Sequence, residues 1–503
     1  MSATAVQKTS STRTLLKFAA GTTLINLMTA GFALIRGKLA AVILGTAGVG
    51  ILGQVDSFYR GLVQICILST GAAVTRCVAE LQGSGDTPGI RRAFWSITAF
   101  SMGLAAVMVA VVLSASGSLS RVMMGDPHYA LFLSVVALGL PLQALSDIIM
   151  GMLIGLRDLR TQVWVTAAYT GGGVLLYAIL ILRYGLVGAV YSLVAIAACT
   201  CAVSAFFFVR RHADSLRPAT GEKHFDGRLL RFILAIGFTG GIMAISDRVV
   251  ILIFRTVLIR NFGFEANGLY QAVYSLSQLT IAMAFGFVST YLVPTLSGME
   301  DRARARFEFS SALRLTVLVA TSASAVVILY GKYVILVTYS SAFVGATTLL
   351  RYQALGDFFR ALTLLLAATI FAISGWKPWF AIGMSFYVAY VAFFTVLLPI
   401  FGFPAISVAY LLGYCTACSL AIILFRPYAK MSFLADRGPL LLRSLALLLA
   451  GFALTLVGDE RITHVLGTAA LLLWARFAFT PSEYRRLWTL LSTPAALFGS
   501  GGR

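Results

Sequence analysis

Apolar runs of membrane-spanning length, separated by short polar turns, occupy most of the chain. A helix needs roughly 20 apolar residues to cross a bilayer. Twelve such segments can be placed, at about 14–43, 48–79, 93–115, 129–155, 162–182, 186–209, 229–258, 267–297, 311–330, 350–373, 378–399 and 404–425, and two more follow at about 439–457 and 463–480. Charges interrupt several of these runs. Arg36 and Lys38 fall in the first, Asp56 and Arg60 in the second, Asp147 in the fourth, Asp247, Arg248 and Arg255 in the seventh, and Asp357 and Arg360 in the tenth. A charge near mid-helix costs at least about 2.5–3.5 kcal/mol on insertion scales, so it is expected to face a partner or a wet cavity.

The pattern is written twice. In the stretch 35–60, IRGKLAAVILGTAGVGILGQVDSFYR, an Arg precedes a short turn and then Gly50, Val55 and Ser57. Arg255 precedes Gly268, Val273 and Ser275 in the same way. Gln143-Ala144-Leu145-Ser146-Asp147 likewise returns as Gln353-Ala354-Leu355-Gly356-Asp357. Between the copies lies the longest polar stretch, RRHADSLRPATGEKHFDGR, which reads as a cytoplasmic linker over 210–228. The chain is therefore expected to be all-α and polytopic. One six-helix lobe covers 1–209, a second covers 229–425, and two further helices and a cytoplasmic tail cover 426–503. Because six is even, both copies enter from the same side, and the repeat is parallel.

Composition agrees with a membrane protein: 59% of residues are hydrophobic, 12% are charged, and the mean hydropathy is +0.90. A net charge of +20 invites a nucleic-acid reading. With the N-terminus inside, however, about 25 of the 39 Lys and Arg lie in cytoplasmic segments and about six in outer loops, the usual cytoplasmic bias. Both termini are thus expected in the cytoplasm, with no nucleic acid as partner. The first helix is too long for a signal-peptide core and is expected to stay as an anchor. All six cysteines fall in predicted helices; Cys415 and Cys418 form a CxxC, but with no His nearby they read as small interior residues. The four histidines lie in loops or, for His464, at the edge of the last span; no nucleophile–base or metal-ligand spacing occurs, and there is no P-loop. No catalytic residue or metal site is expected.

The stretches GLYQAVYSLSQ and YLVPTLS in 268–297, a basic loop with Arg302, Arg304 and Arg306, and then YQALGDFFR at 352–360 resemble the Wzx-type flippases. So do the turn GTAGVG and Gly155-Leu156-Arg157-Asp158-Leu159. These proteins belong to the multidrug/oligosaccharidyl-lipid/polysaccharide (MOP) superfamily. The resemblance covers roughly residues 12–425. It implies two six-helix lobes around a central cavity, and the movement of undecaprenyl-diphosphate-linked O-antigen or enterobacterial-common-antigen units across the bacterial inner membrane. It also implies a polysaccharide polymerase and a chain-length regulator as partners. The terminal helix pair departs from the twelve-helix pattern.

On this reading Arg36, Lys38, Arg60, Arg248 and Arg255 bind the diphosphate, for which arginine offers paired hydrogen bonds, and Gln54 and Gln271 reach sugar hydroxyls. Arg248 and Arg255 are seven residues apart and share a helix face. The plainer alternative is pairing within helices, Asp56 with Arg60 and Asp357 with Arg360. Asp56, Asp147, Asp247, Asp357 and Arg360 are candidates for helix contacts or for binding a coupling H+ or Na+. A lipid II flippase and a multidrug or cation antiporter of the same fold are the alternative transporters. A membrane glycosyltransferase or polymerase is the alternative of another class, disfavoured because the outer loops are short.

Overall fold

The computed structural model describes residues 3–68, 70–212, 225–288, 292–297, 299, 301–429, 437–457 and 459–478. Among them the regular elements are helical. The first half holds α1 (Ala3–Ile67), α2 (Thr70–Gly83), α3 (Thr87–Met124), α4 (Ala130–Leu138), α5 (Leu140–Gly155), α6 (Leu159–Ala167) and α7 (Gly173–His212). The second holds α8 (Gly227–Phe287), α9 (Val293–Ser297), α10 (Arg302–Thr338), α11 (Thr347–Ser374), α12 (Trp376–Phe401) and α13 (Ala405–Ala429), followed by α14 (Gly438–Leu456) and α15 (Glu460–Ala478).

Nine helical stretches among the described residues are long and apolar enough to cross a membrane, where the apolar runs alone suggest fourteen. Two of the missing spans are joined to a neighbour across a glycine, at Gly45 in α1 and at Gly185 in α7, and α15 is not among the nine. Arg36 and Asp56 line one cavity, whereas a straight helix would hold residues 20 apart about 30 Å from each other. The reversal falls at Gly45, whose φ is 66°. Likewise Arg255 hydrogen-bonds Gln271, residues a straight helix would separate by about 24 Å, because α8 turns at Gly263 with φ 81°. Each of these helices is a hairpin of two arms. α8 is not among the nine; charges sit in its first arm, and Asn267, Gln271, Ser275, Ser277 and Gln278 in its second.

The two hairpins meet just past their turns. A Cβ on Gly50 would stand 2.0 Å from the Phe264 carbonyl oxygen, and one on Gly268 would stand 1.9 Å from that of Thr46. No side chain fits at such distances, so the crossing requires glycine on both helices. Asn267 Nδ2 closes it by donating to the Gly50 carbonyl at 2.7 Å. The other residues of the sequence repeat also share surroundings: Val55 and Val273 are buried, and Ser57 and Ser275 line the same cavity.

Around this crossing a seam of buried residues, from Ala40 and Val49 to Phe394 and Ala417, joins α1, α7 and α8 to α11–α13. Separate clusters fill the first half, around Val55, Leu133 and Val190 and around Val78, Ile97 and Phe208. A larger one, around Leu313, Leu365 and Phe425, fills the second. α14 and α15 belong to it through Leu447, Leu448 and Trp474. Arg314 also donates to the Ala478 carbonyl at 3.0 Å, and Lys332 pairs with Glu460 at 2.7 Å.

Residues 213–224 of the expected linker, and the tail beyond 478, lie outside the described residues. The ends of that linker rest on the first half. Arg211 and His212 stand 3.0 and 3.1 Å from Asp158, and the Asp226 N–H donates to Ser96 Oγ at 2.8 Å. Farther on, Ile233 is buried beside Val78 and Phe94, so α8 begins on the first half. Arg302, Arg304 and Arg306, expected in a loop, belong to α10. Asp301 caps its N-terminus by accepting from the Ala303 and Arg304 N–H groups at 2.9 and 3.3 Å, which starts the helix before the apolar run begins.

Gly268→Ala should lower stability by about 1–3 kcal/mol, the usual cost of overpacking. Gly31→Ala, where nothing lies within 4 Å of the added carbon, should be neutral or stabilising by up to about 1 kcal/mol. Thermal unfolding in detergent compares the two, and equal midpoints would contradict the close crossing.

Candidate functional site

Beside the glycine crossing, on the side away from the hairpin turns, α1, α7 and α8 enclose a cavity of about 330 Å³. A second space of about 240 Å³ shares Arg36, Asp56, Arg60, Leu193 and Arg248 with it. Together they follow the second arm of α1 from Val49 to Ile67, a length of about 27 Å.

Four arginines reach the larger space, and each is held differently. Arg60 pairs with Asp56 at 2.7 Å, one helical turn away. Arg248 stands 3.8 Å from Asp247 and donates to the Tyr274 hydroxyl at 3.3 Å. Arg36 makes no ion pair among the described residues; its guanidinium lies 4.9 Å from the centre of the Tyr177 ring. Arg255 is fully buried. It donates to Asn267 Oδ1 at 3.3 Å and to Gln271 Oε1, and sits 5.3 and 5.5 Å from the rings of Tyr270 and Tyr274. Its partners are neutral, and its Nε has none.

Four guanidinium groups therefore face a space whose lining supplies one carboxylate, Asp56. An unpaired ion in a protein interior costs several kcal/mol, while each ring contact returns only about 0.5–2 kcal/mol. Such an excess of positive charge fits a bound anion. Arginine suits one with paired oxygens, because the planar fork matches carboxylate and phosphate geometry.

The remaining sequence candidates divide. Gln271 lines the cavity, where it orients Arg255, and donates to Ser275 Oγ at 3.1 Å. Asp147 lines the smaller space and accepts from Gln143 Nε2 at 2.9 Å. Lys38 is not in the cavity lining; its ammonium donates to the Leu336 carbonyl near the end of α10 at 2.8 Å. Gln54 is buried and donates to Thr256 Oγ1 at 3.0 Å. Asp247 lines a narrow adjoining pocket with Arg360.

Asp357 lies in a closed network, accepting from Ser277 Oγ at 2.5 Å and from the Tyr410 hydroxyl at 2.8 Å. Arg360 donates to Gln278 Oε1 at 2.8 Å and to Tyr410 at 3.2 Å. The direct Asp357–Arg360 pair offered by their spacing is replaced by a shared tyrosine hydroxyl. Asp147 and Asp357 match in the repeat, yet one faces the cavity and the other is sealed behind Tyr410.

Sequence reasoning missed Asn267, Gln278, Tyr177, Tyr274 and Tyr339. A signal for two of these was present. Asn267, Gln271, Ser275 and Gln278 fall four, four and three residues apart, a polar stripe along one face of an otherwise apolar arm. Among the described residues no group of His, Cys, Asp and Glu has the makeup of a metal site.

The hairpins and the enclosed polar cavity define a polytopic membrane transporter. Its fold matches an inward-facing multidrug resistance transporter of the MOP superfamily with a TM-score of 0.69 at 16% identity, over 81% of this chain and 98% of that one. A MOP transporter from Pyrococcus furiosus, described by the reversed polarity of its binding pocket, matches with a TM-score of 0.61 at 16% identity, over 81% and 96% of the two chains. The family described as polysaccharide biosynthesis protein matches residues 15–300, more than half of the sequence, and the chain belongs to that family. It is also 24% identical over 403 residues to the lipid III flippases of Escherichia coli K12 and Shigella flexneri, covering 78% of this chain and 94% of each of theirs. The likeness to Wzx-type flippases read from the motifs stands with these findings, and the relatives named are transporters rather than enzymes.

Asp357→Ala would leave the Ser277 and Tyr410 hydroxyls without their acceptor, at about 1–3 kcal/mol for each buried group. The expected result is lower membrane abundance and thermal stability, with unchanged transport per folded molecule. Reduced transport at normal abundance would instead place Asp357 in the working site.

Proposed function

We propose that the protein is a flippase that moves an undecaprenyl-diphosphate-linked oligosaccharide from the cytoplasmic to the periplasmic leaflet of the bacterial inner membrane by alternating access. The observation that carries this reading is the surplus of arginine over carboxylate in the cavity, centred on the buried, unpaired Arg255. A diphosphate linked to lipid and sugar supplies two negative charges and the paired oxygens that guanidinium groups bind. The same surplus repels a cationic drug, which disfavours the antiporter reading. The family match and the lipid III flippase relatives support a lipid-linked glycan as cargo.

The excess of basic residues in the expected cytoplasmic segments supports a periplasmic position for the Gly45 and Gly263 turns. The glycine crossing then seals the outer end, and the cavity belongs to the state that admits substrate from the cytoplasm. Release requires the crossing to part. Arg255 bears on that step: Asn267 accepts from its guanidinium while donating to the Gly50 carbonyl. An anion that engages Arg255 competes with Asn267 and so weakens the support of the seal.

Arg36 gives the cleaner test, because among the described residues no hydrogen bond depends on it. Arg36→Ala removes a charge-assisted contact of roughly 1.5–3 kcal/mol, a loss of about tenfold to a hundredfold in affinity. In a flippase-deficient strain it should fail to restore surface glycan at normal membrane abundance. Arg36→Lys should restore part, since a point charge keeps the attraction but loses the fork. Full surface glycan from an Arg36→Ala, Arg248→Ala double variant at normal abundance would refute the anion site.

A further inference from the structure

The smaller space differs in chemistry from the larger one beside it. Beyond the shared arginines it is walled by Tyr59, Gln143, Asp147 and Tyr169, with Leu193 and Ile196 on an apolar side. The geometry points to this space as the subsite for the sugar joined directly to the diphosphate, an uncharged pyranose ring. The inference rests on the flippase reading above.

Three features support it. Gln143 and Asp147 stand one turn apart on α5, linked by an amide N–H to carboxylate bond of 2.9 Å. A carboxylate and a carboxamide fixed side by side accept from and donate to neighbouring hydroxyls, the pattern a pyranose presents along its edge. The second feature is aromatic. The Tyr59 hydroxyl donates to the Gly139 carbonyl at 3.3 Å, which fixes its ring in the wall. Tyr169 sits in a π-helical turn, 168–172, where an extra residue shifts the register of the helix; such turns are frequent at functional sites. Ring faces and the apolar side suit the C–H surface of a sugar. The third feature is position. Arg36, Arg60 and Arg248 border both spaces, so a diphosphate held by them would put its first sugar here, at about 240 Å³.

The competing occupant of Asp147 is a coupling cation, and the surroundings oppose it. Arg36, Arg60 and Arg248 line the same space, Asp56 is committed to Arg60, and an N–H points at one Asp147 oxygen. A sodium ion wants several oxygens and no donors, and a proton on Asp147 is tested by the asparagine variant below. Hydroxyls accept this setting.

Binding to the purified protein in nanodiscs separates the possibilities. The probes are undecaprenyl diphosphate alone and the same lipid carrying glucose or N-acetylglucosamine. The unaltered protein should bind the better of the two sugar lipids about tenfold more tightly than the bare lipid. Gln143→Leu and Asp147→Leu should bring that ratio towards one. Asp147→Asn, which keeps an acceptor oxygen but cannot titrate, should preserve most of it. Equal binding of all three lipids, or an undiminished ratio in both leucine variants, would overturn the subsite. So would Asp147→Asn and Asp147→Leu both retaining the ratio while transport loses its dependence on an ion gradient. Failure of the bare lipid to bind, or equal binding of it by Arg36→Ala, would instead tell against the diphosphate site itself.

Discussion

A guanidinium group in a low-dielectric interior must find a counter-charge, and in this protein the fold withholds it. Asp56 is spent on Arg60 and Asp247 lies beside Arg248; Arg255 is given only amides and tyrosine rings. Neutral acceptors and ring faces hold a cation in place without cancelling its charge. A group carrying negative charge would offset that excess of charge. The arrangement also explains why the arginines lie on helix arms instead of loops. Arg255, fully buried in the arm that carries it, cannot swing its charge away to water.

The second constraint is backbone contact. The halves approach through peptide groups at Gly50 and Gly268, with one amide hydrogen bond across the crossing. Backbone-to-backbone contact is close but carries little apolar area. Little apolar contact is lost if such a crossing parts, whereas an interdigitated aromatic seam such as Phe254 with Tyr390 and Phe394 would lose much more.

Much of this was legible in the sequence, because charge in an apolar run is conspicuous and its cost is large. Arg36, Arg60, Arg248 and Arg255 stand out for that reason, and all reach the cavity. The Gly50 and Gly268 correspondence was visible as well, although not that the two residues touch. What stayed hidden depends on long-range geometry. Lys38 carries the same charge as its neighbour Arg36 but points to α10, and spacing could not distinguish them. Nor could the repeat separate Asp147 from Asp357, because the difference comes from Tyr410, far along the chain. The reversals at Gly45 and Gly263 depend on a single residue's φ, which hydropathy does not register.

One further consequence follows from where the two ends of residues 213–224 are fastened. Both rest on the first half, and α8 starts there before its later residues, such as Phe254, pack against α12. The chain thus passes from one half to the other along α8 itself. The relative placement of the halves is therefore set by packing along α8 rather than by the length of the segment that precedes it.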